Sequence, residues 1–227
     1  MKKIISTLLF ISIALLVNAY DFMVDGVCFN YNNDGTSVTV TYQNTSSPRY
    51  SNLSGSLTIP SSVTYSGSTY DVTSIGSSAF YGCTSLTSAT IPNSVTSIGD
   101  AAFYKCNSLK TAIIGENVTS IGSGAFKDCS LLENLVALRE RPIVIPSNTF
   151  DGVPTASCDL HVKQGSKIRY ENQDVWKDFL IIVEDAEDWA DVGGVSSGSG
   201  IYGDVNGDGH VNSADVTAVY DVILGNE

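Results

Sequence analysis

The chain has 227 residues, 24 acidic against 12 basic side chains, a formal net charge of −12 at pH 7 and 43% hydrophobic residues. That length allows one or two domains with a sizeable core, and that acidity repels phosphate backbones and anionic membrane surfaces, which argues against a nucleic-acid-binding role. The two histidines, His161 and His210, have no partner at metal or triad spacing, and nucleophile elbows, phosphate loops and zinc signatures are absent, so the sequence points away from an enzyme.

Met1-Lys2-Lys3 leads into an apolar run from Ile4 to Val17, broken only by Ser6, Thr7 and Ser12, and then into Val17-Asn18-Ala19. A charged start, an apolar middle and small residues at the two positions a signal peptidase reads make residues 1–19 a secretory leader, too short for a comfortable membrane span. The mature chain is expected to begin near Tyr20 and to be exported, to the cell surface, the extracellular space or the periplasm, without membrane insertion. Removing Lys2 and Lys3 leaves 10 basic against 24 acidic residues, a charge near −14.

Residues 20–71 read as an N-terminal cap with a first partial repeat. Cys28 to Tyr42 alternates around Asn33-Asp34-Gly35, a hairpin signal. Leu57-x-Ile59-Pro60-x-x-Val63 resembles the start of a repeat, into which Tyr65-Ser66-Gly67-Ser68-Thr69-Tyr70 inserts a second hairpin.

Residues 72–157 repeat themselves with a period of 23: Val72-Thr73-Ser74-Ile75-Gly76 recurs as Val95-Thr96-Ser97-Ile98-Gly99 and Val118-Thr119-Ser120-Ile121-Gly122. Ala79-Phe80, Cys83 and Leu86 recur in the same phase as Ala102-Phe103, Cys106 and Leu109, then Ala125-Phe126, Cys129 and Leu132. A unit this short cannot bury its own apolar face, so successive rungs must stack and share one core. Leu86-x-x-Ala89-x-Ile91 alternates as a short strand, predicting a parallel sheet along one face. The Ala-Phe-x-x-Cys stretch predicts a helical turn on the other, and the glycine after each Ile a turn needing backbone freedom. The phase drifts at Ile145-Pro146 and Phe150, a spacing of 24, where Val153 stands in the Cys slot.

Residues 158–183, closed by Trp176 and Phe179, read as the C-terminal cap that a solenoid edge needs. His161 falls in an apparent strand as a structural residue. The laddered Cys83, Cys106 and Cys129 read as small buried side chains, and Cys28 and Cys158 belong to opposite caps, so no obligatory disulfide is expected.

The pattern Val-Thr-x-Ile-Gly-x-x-Ala-Phe-x-x-Cys-x-x-Leu with Ile91-Pro92 after it resembles the BspA-type leucine-rich repeat over roughly residues 20–183. The resemblance implies a mostly β, short leucine-rich-repeat solenoid with β-rich caps, in a family of secreted and surface proteins of gut and oral bacteria and some parasites. It implies binding rather than catalysis, since characterised adhesins of the family bind host matrix or other cells. A protein or glycan on host or neighbouring cells is the expected ligand. The strand positions between core slots would meet it: Thr87, Ser88 and Thr90, then Lys110 and Thr111, then Glu133 and Asn134.

The remainder is acidic, with ten carboxylates and no Lys or Arg from Glu184 to Glu227. Residues 184–200, ending in Ser196-Ser197-Gly198-Ser199-Gly200, have linker composition. In residues 201–227, Asp204, Asn206, Asp208, Asn212 and Asp215 fall at positions one, three, five, nine and twelve of a loop, with Gly209 at six and the His210 carbonyl at seven. That spacing wraps hard oxygen ligands around one Ca²⁺. With Val216-x-x-Val219-Tyr220-x-Val222-Ile223-Leu224 as an exiting helix, the segment resembles one dockerin type I repeat, including Asp in place of Glu at position twelve. That resemblance implies a small calcium-loop–helix segment, a cohesin-like partner, and a partner-selecting role for Ser213 and Ala214. A full dockerin carries two such repeats and this chain carries one.

Overall fold

The 23-residue period of the sequence is the pitch of a coil. In the computed structural model, which describes residues 20–45, 49–50, 53–186 and 189, each of the three strictly 23-residue rungs from Val72 adds one strand to each of two sheets. The described strands in chain order are β1 (Phe22–Val24), β2 (Val27–Tyr31), β3 (Ser37–Thr41), β4 (Gly55–Thr58), β5 (Ser62–Tyr65), β6 (Ser68–Ile75) and β7 (Leu86–Ile91). They continue with β8 (Ser97–Ile98), β9 (Thr111–Ile114), β10 (Ser120–Ile121), β11 (Asn134–Ala137), β12 (Asp159–Val162) and β13 (Ile181–Val183).

The expected parallel sheet runs β13-β12-β11-β9-β7-β4, and its register repeats the sequence period: Ala89 pairs with Ala112 and Ala112 with Leu135. The Val-Thr-Ser-Ile stretches add β6, β8 and β10 to a second parallel run, β3-β6-β8-β10, that starts from the N-terminal strand β3. Identical slots therefore stand on one another. Ile75, Ile98 and Ile121 line up, and so do Phe80, Phe103 and Phe126, whose ring centroids are 5.0 and 5.2 Å apart. Their side chains are buried, and each rung closes over the apolar face of the one before.

The Ala-Phe-x-x-Cys stretch is a string of tight turns and not a helical turn. Ala79, Tyr81 and Cys83 donate their N–H groups three residues back, to Gly76, Ser78 and Phe80. Between them Ser78, Phe80 and Gly82 donate to Asp100, Ala102 and Tyr104 of the next rung. A helix would spend every amide internally, whereas here every second amide ties rungs together. The alternation requires left-handed residues, and they recur in phase as Ser78, Ala101 and Gly124 (φ +56°, +52° and +61°).

The glycine after each Ile has a different cause from the one expected. Gly76, Gly99 and Gly122 do not adopt a positive φ. A Cβ on Gly99 would lie 2.5 Å from the Ser77 nitrogen, and one on Gly122 2.5 Å from the Asp100 nitrogen. The constraint is the close approach of one rung's backbone to the next, which leaves no volume for a methyl group.

At the N-terminal end β1, β2 and β3 form an antiparallel meander, and β3 passes its edge in parallel to β6. Asp34 shapes the β2–β3 turn by accepting from the Thr36 and Ser37 amides, both at 2.8 Å, and from the Ser37 hydroxyl. These bonds hold its pKa down at about 2. The predicted hairpin at Tyr65–Tyr70 is β5 against β6, and Leu57 and Ile59 occupy rung positions beside Ala89 and Thr90. Tyr50 heads the phenylalanine ladder, 5.3 Å from Phe80, and its hydroxyl accepts from the Cys28 amide and donates to the Thr41 carbonyl. At the other end Trp176 and Phe179 meet Phe150 edge-on, and Tyr170 of the short helix α1 (Lys167–Glu171) packs on Trp176.

The five cysteines are buried free thiols. Cys106 and Cys129 donate to the Phe80 and Phe103 carbonyls of the preceding rung, each at 3.2 Å. Val153 holds the equivalent place one rung on, with its amide on the Phe150 carbonyl. Burial pushes the Cys28 thiol up to about 11 and Cys129 and Cys158 up to about 12, and it raises Cys83 and Cys106 as well.

Two outcomes follow. In urea unfolding, Gly99→Ala should lose about 1–3 kcal/mol by overpacking. Ala101→Gly, relieved of its left-handed strain, should be neutral or gain up to about 1 kcal/mol. A reversed order would mean that backbone freedom, not close approach, selects the glycine. At pH 7.5 the native protein should resist iodoacetamide at all five thiols and react at all of them in denaturant, as read by mass spectrometry.

Candidate ligand-recognition face

A strand alternates its side chains between two faces, so the six-stranded sheet that seals the core with Leu86, Ala89 and Ile91 presents the residues between them outward. Parallel register turns those positions into rows across the strands. The first row runs Ser88, Thr111, Asn134, Asp159 and Ile181. The second runs Thr58, Thr90, Ile113, Val136, His161 and Val183. Thr87 in β7, with Lys110 and Glu133 just ahead of β9 and β11, continues the ladder, Lys110 donating to the Thr87 carbonyl and Glu133 to the Lys110 carbonyl.

Six of the seven residues expected on this face reach solvent: Thr87, Lys110 and Glu133 are exposed, and Ser88, Thr111 and Asn134 are half-buried. Lys110 and Glu133 form an ion pair at 3.1 Å with both side chains more than half exposed, a contact worth little to stability. It cancels those two charges and leaves Asp159 as the carboxylate of the first row. Thr90 is the correction, because it is 4% exposed and stands in the second row beside Ile113.

That second row is not open sheet. Ile113 and Val136 are 1% and 0% exposed, packed with Leu138, Ala186 and Trp189 in a cluster separate from the main core. His161 lies in the same row, in strand β12 as the sequence suggested. Its Nδ1 is 2.7 Å from Asp185 Oδ1 and its Nε2 is 3.1 Å from Asn134 Oδ1. A carboxylate oxygen accepts only, so Nδ1 carries the proton in that contact. Both ring nitrogens are thus engaged by neighbouring side chains. The acidic stretch read as linker from residue 184 therefore begins with packed residues.

Sequence reasoning missed Ile113, Val136, His161, Asp185 and Trp189 as members of this face. A signal existed: Ala112-Ile113-Ile114 and Leu135-Val136-Ala137-Leu138 are continuous apolar runs, the mark of strands covered on both sides. By contrast Leu86-Thr87-Ser88-Ala89-Thr90-Ile91 keeps polar residues outside.

A second concavity, about 290 Å³, lies where the strands end and is lined by Glu116, Asn117, Arg139, Glu140, Arg141 and Lys163. Some of its charges pair across it, while Glu140 meets Arg169 beyond the lining at 3.3 Å. Lys163 meets Glu116 at 2.8 Å, and Arg139 donates to the Glu116 carbonyl at 3.1 Å. Among the described residues no group of three His, Cys, Asp or Glu side chains is placed to hold a metal, and no helix is long and apolar enough to cross a membrane. The leader, the calcium-loop residues Asp204, Asn206, Asp208, His210, Asn212 and Asp215, and the partner positions Ser213 and Ala214 lie outside the described residues.

Residues 62–164 match the family described as BspA type leucine rich repeat region, in six copies. No curated protein matches the chain. A leucine-rich repeat protein from Bacteroides capillosus is similar at 29% identity and a TM-score of 0.51, covering 63% of this chain and 98% of that one. Another from Bacteroides ovatus is similar at 26% identity and a TM-score of 0.51, covering 72% of this chain and 41% of that one, so this chain spans less than half of its length. Stacked 23-residue rungs, their phenylalanine and cysteine ladders and these likenesses agree: the described chain is a leucine-rich-repeat solenoid whose residues 62–164 are similar to BspA-type repeats.

Proposed function

We propose that this is an exported, non-enzymatic binding protein that recognises a protein or glycan on a host or neighbouring cell through the first row of its six-stranded sheet. The observation that carries the reading is the row itself. Ser88, Thr111 and Asn134, with Thr87, Lys110 and Glu133 beside them, stand in strict register on a rigid parallel sheet, uncovered by side chains of the core. Hydroxyls, an amide and one cancelled ion pair suit a ligand read by hydrogen bonds. The leader at residues 1–19 supports export. The row lacks the aromatic and arginine anchors that dominate tight interfaces, so single-copy affinity is expected to be modest and display in many copies to matter.

The test is capture from host-matrix and envelope extracts, and on glycan arrays, with the full mature chain and with Thr111→Arg. A bulky cation in the middle of the row should reduce capture at least tenfold while leaving the unfolding midpoint unchanged. Equal capture by both chains would move recognition off this face.

A second reading rests on the oxygen spacing from Asp204 to Asp215. In it the chain is a calcium-dependent assembly component, with the C-terminal repeat holding Ca²⁺ and docking to a cohesin-like or envelope partner through Ser213 and Ala214. Adding chelator to the labelled full chain should shift NMR signals of residues 201–227 and leave those of the solenoid in place, as Asp204→Ala should. Signals from the tail that ignore chelator would remove the metal and this reading together.

A further inference from the structure

The outer sheet face of this protein already holds a peptide, which is its own. Beyond β13 the chain turns across the sheet and is fixed at successive points. Glu184 accepts from the Lys167 amide at 2.8 Å and from the Gln164 side chain at 3.2 Å. Asp185 meets His161 at 2.7 Å. Ala186, fully buried, sits with Ile113, Val136 and Leu138, and Trp189 packs against that group with its ring 4.7 Å from the His161 ring.

We propose that this slot is a peptide-binding site, with Asp185, Ala186 and Trp189 as its intramolecular occupants. It would select an acidic segment in a short helical turn, the conformation of Ala186 and Trp189, that places a carboxylate at His161, a small residue on the Ile113–Val136 floor and an indole over the imidazole. The partner is a segment of another protein with that chemistry. Three observations carry the proposal. The floor is apolar where a bare outer face would be polar, as the neighbouring Ser88 and Thr111 are, so these strands are built to be covered. The contacts are divided by chemistry: carboxylate to imidazole, methyl to aliphatic floor, indole to ring. And β13 ends at Val183, so Asp185, Ala186 and Trp189 lie outside the paired strands of the sheet. Such an occupant exchanges more readily than a paired strand.

A segment tethered this closely competes at an effective concentration on the order of millimolar, so the slot is silent towards dilute peptide until the occupant is weakened. The proposal does not rest on the adhesion reading. Its probe is a defined peptide, and Thr111 in the first row takes no part in it, so either idea can fail alone.

The experiment uses the full mature chain and a synthetic peptide of residues 183–190. The protein has two tryptophans, so labelling with 5-fluorotryptophan gives two ¹⁹F resonances, and Trp176, buried in the cap, serves as the internal reference. Excess unlabelled peptide should shift the Trp189 resonance and leave that of Trp176. In fluorescence anisotropy, Asp185→Ala with Trp189→Ala should bind labelled peptide at least tenfold more tightly than the parent chain, and adding His161→Ala should abolish the gain. A Trp189 resonance unmoved by peptide at several times the effective concentration would overturn the proposal, as would a folded double variant that binds no better than the parent. If the double variant does not fold, the ¹⁹F result on the unsubstituted chain decides.

Discussion

Everything in this molecule depends on the backbone hydrogen bonds between rungs. In the turns every second amide leaves its own rung, from Ser78, Phe80 and Gly82 to the next and again from Ala101, Phe103 and Lys105. In the sheets the parallel ladders do the same work at the same offset. A bond pattern that always spans one period makes the register of every rung a copy of its neighbour's. Side-chain ladders are the consequence: once Ala102 is fixed opposite Phe80, Phe103 can only lie on Phe80. The glycine after each Ile is a second consequence, since backbones drawn this close leave no space for a Cβ.

The period was legible in the sequence because stacking demands it. Any rung that changed an inward residue would spoil two interfaces, so Val, Ile, Phe, Cys and Leu recur in phase. What was not legible was the use to which polar backbone groups are put. Ala79-Phe80-Tyr81 reads as a helical turn by composition, yet whether an amide bonds three residues back or twenty-two residues on is decided by the neighbouring rung. Composition also gave the glycine the wrong cause. Gly99 and Ala101 show the separation: the glycine has ordinary φ and no room, while the alanine has room and a left-handed φ.

The outer sheet face was half legible for a related reason. Alternation in Leu86–Ile91 shows which residues point out, and the first row was found from it. The second row required noticing that Ile113 and Val136 break the alternation, and then finding what covers them, which lies some fifty residues further along the chain in a stretch whose acidity reads as solvated linker. Local pattern reports that a strand is covered; only the fold reports by what.

The two rows divide the outer face into chemically different surfaces, and this bears on how tightly either can bind. A stable interface commonly buries about 800 Å² per partner and owes most of its energy to a few aromatic or arginine anchors in dry pockets. The first row offers small hydroxyls, one amide, the Asp159 carboxylate, an exposed Ile181 and a cancelled ion pair, with no aromatic or arginine anchor. The second offers an aliphatic floor and an imidazole, the surroundings in which an indole becomes an anchor, and the chain fills them with Trp189. The strongest binding chemistry on the sheet is thus spent internally. A ligand that stays on the first row must bind weakly and gain strength by repetition. One that also displaces Trp189 with an indole of its own would gain an anchor on that floor.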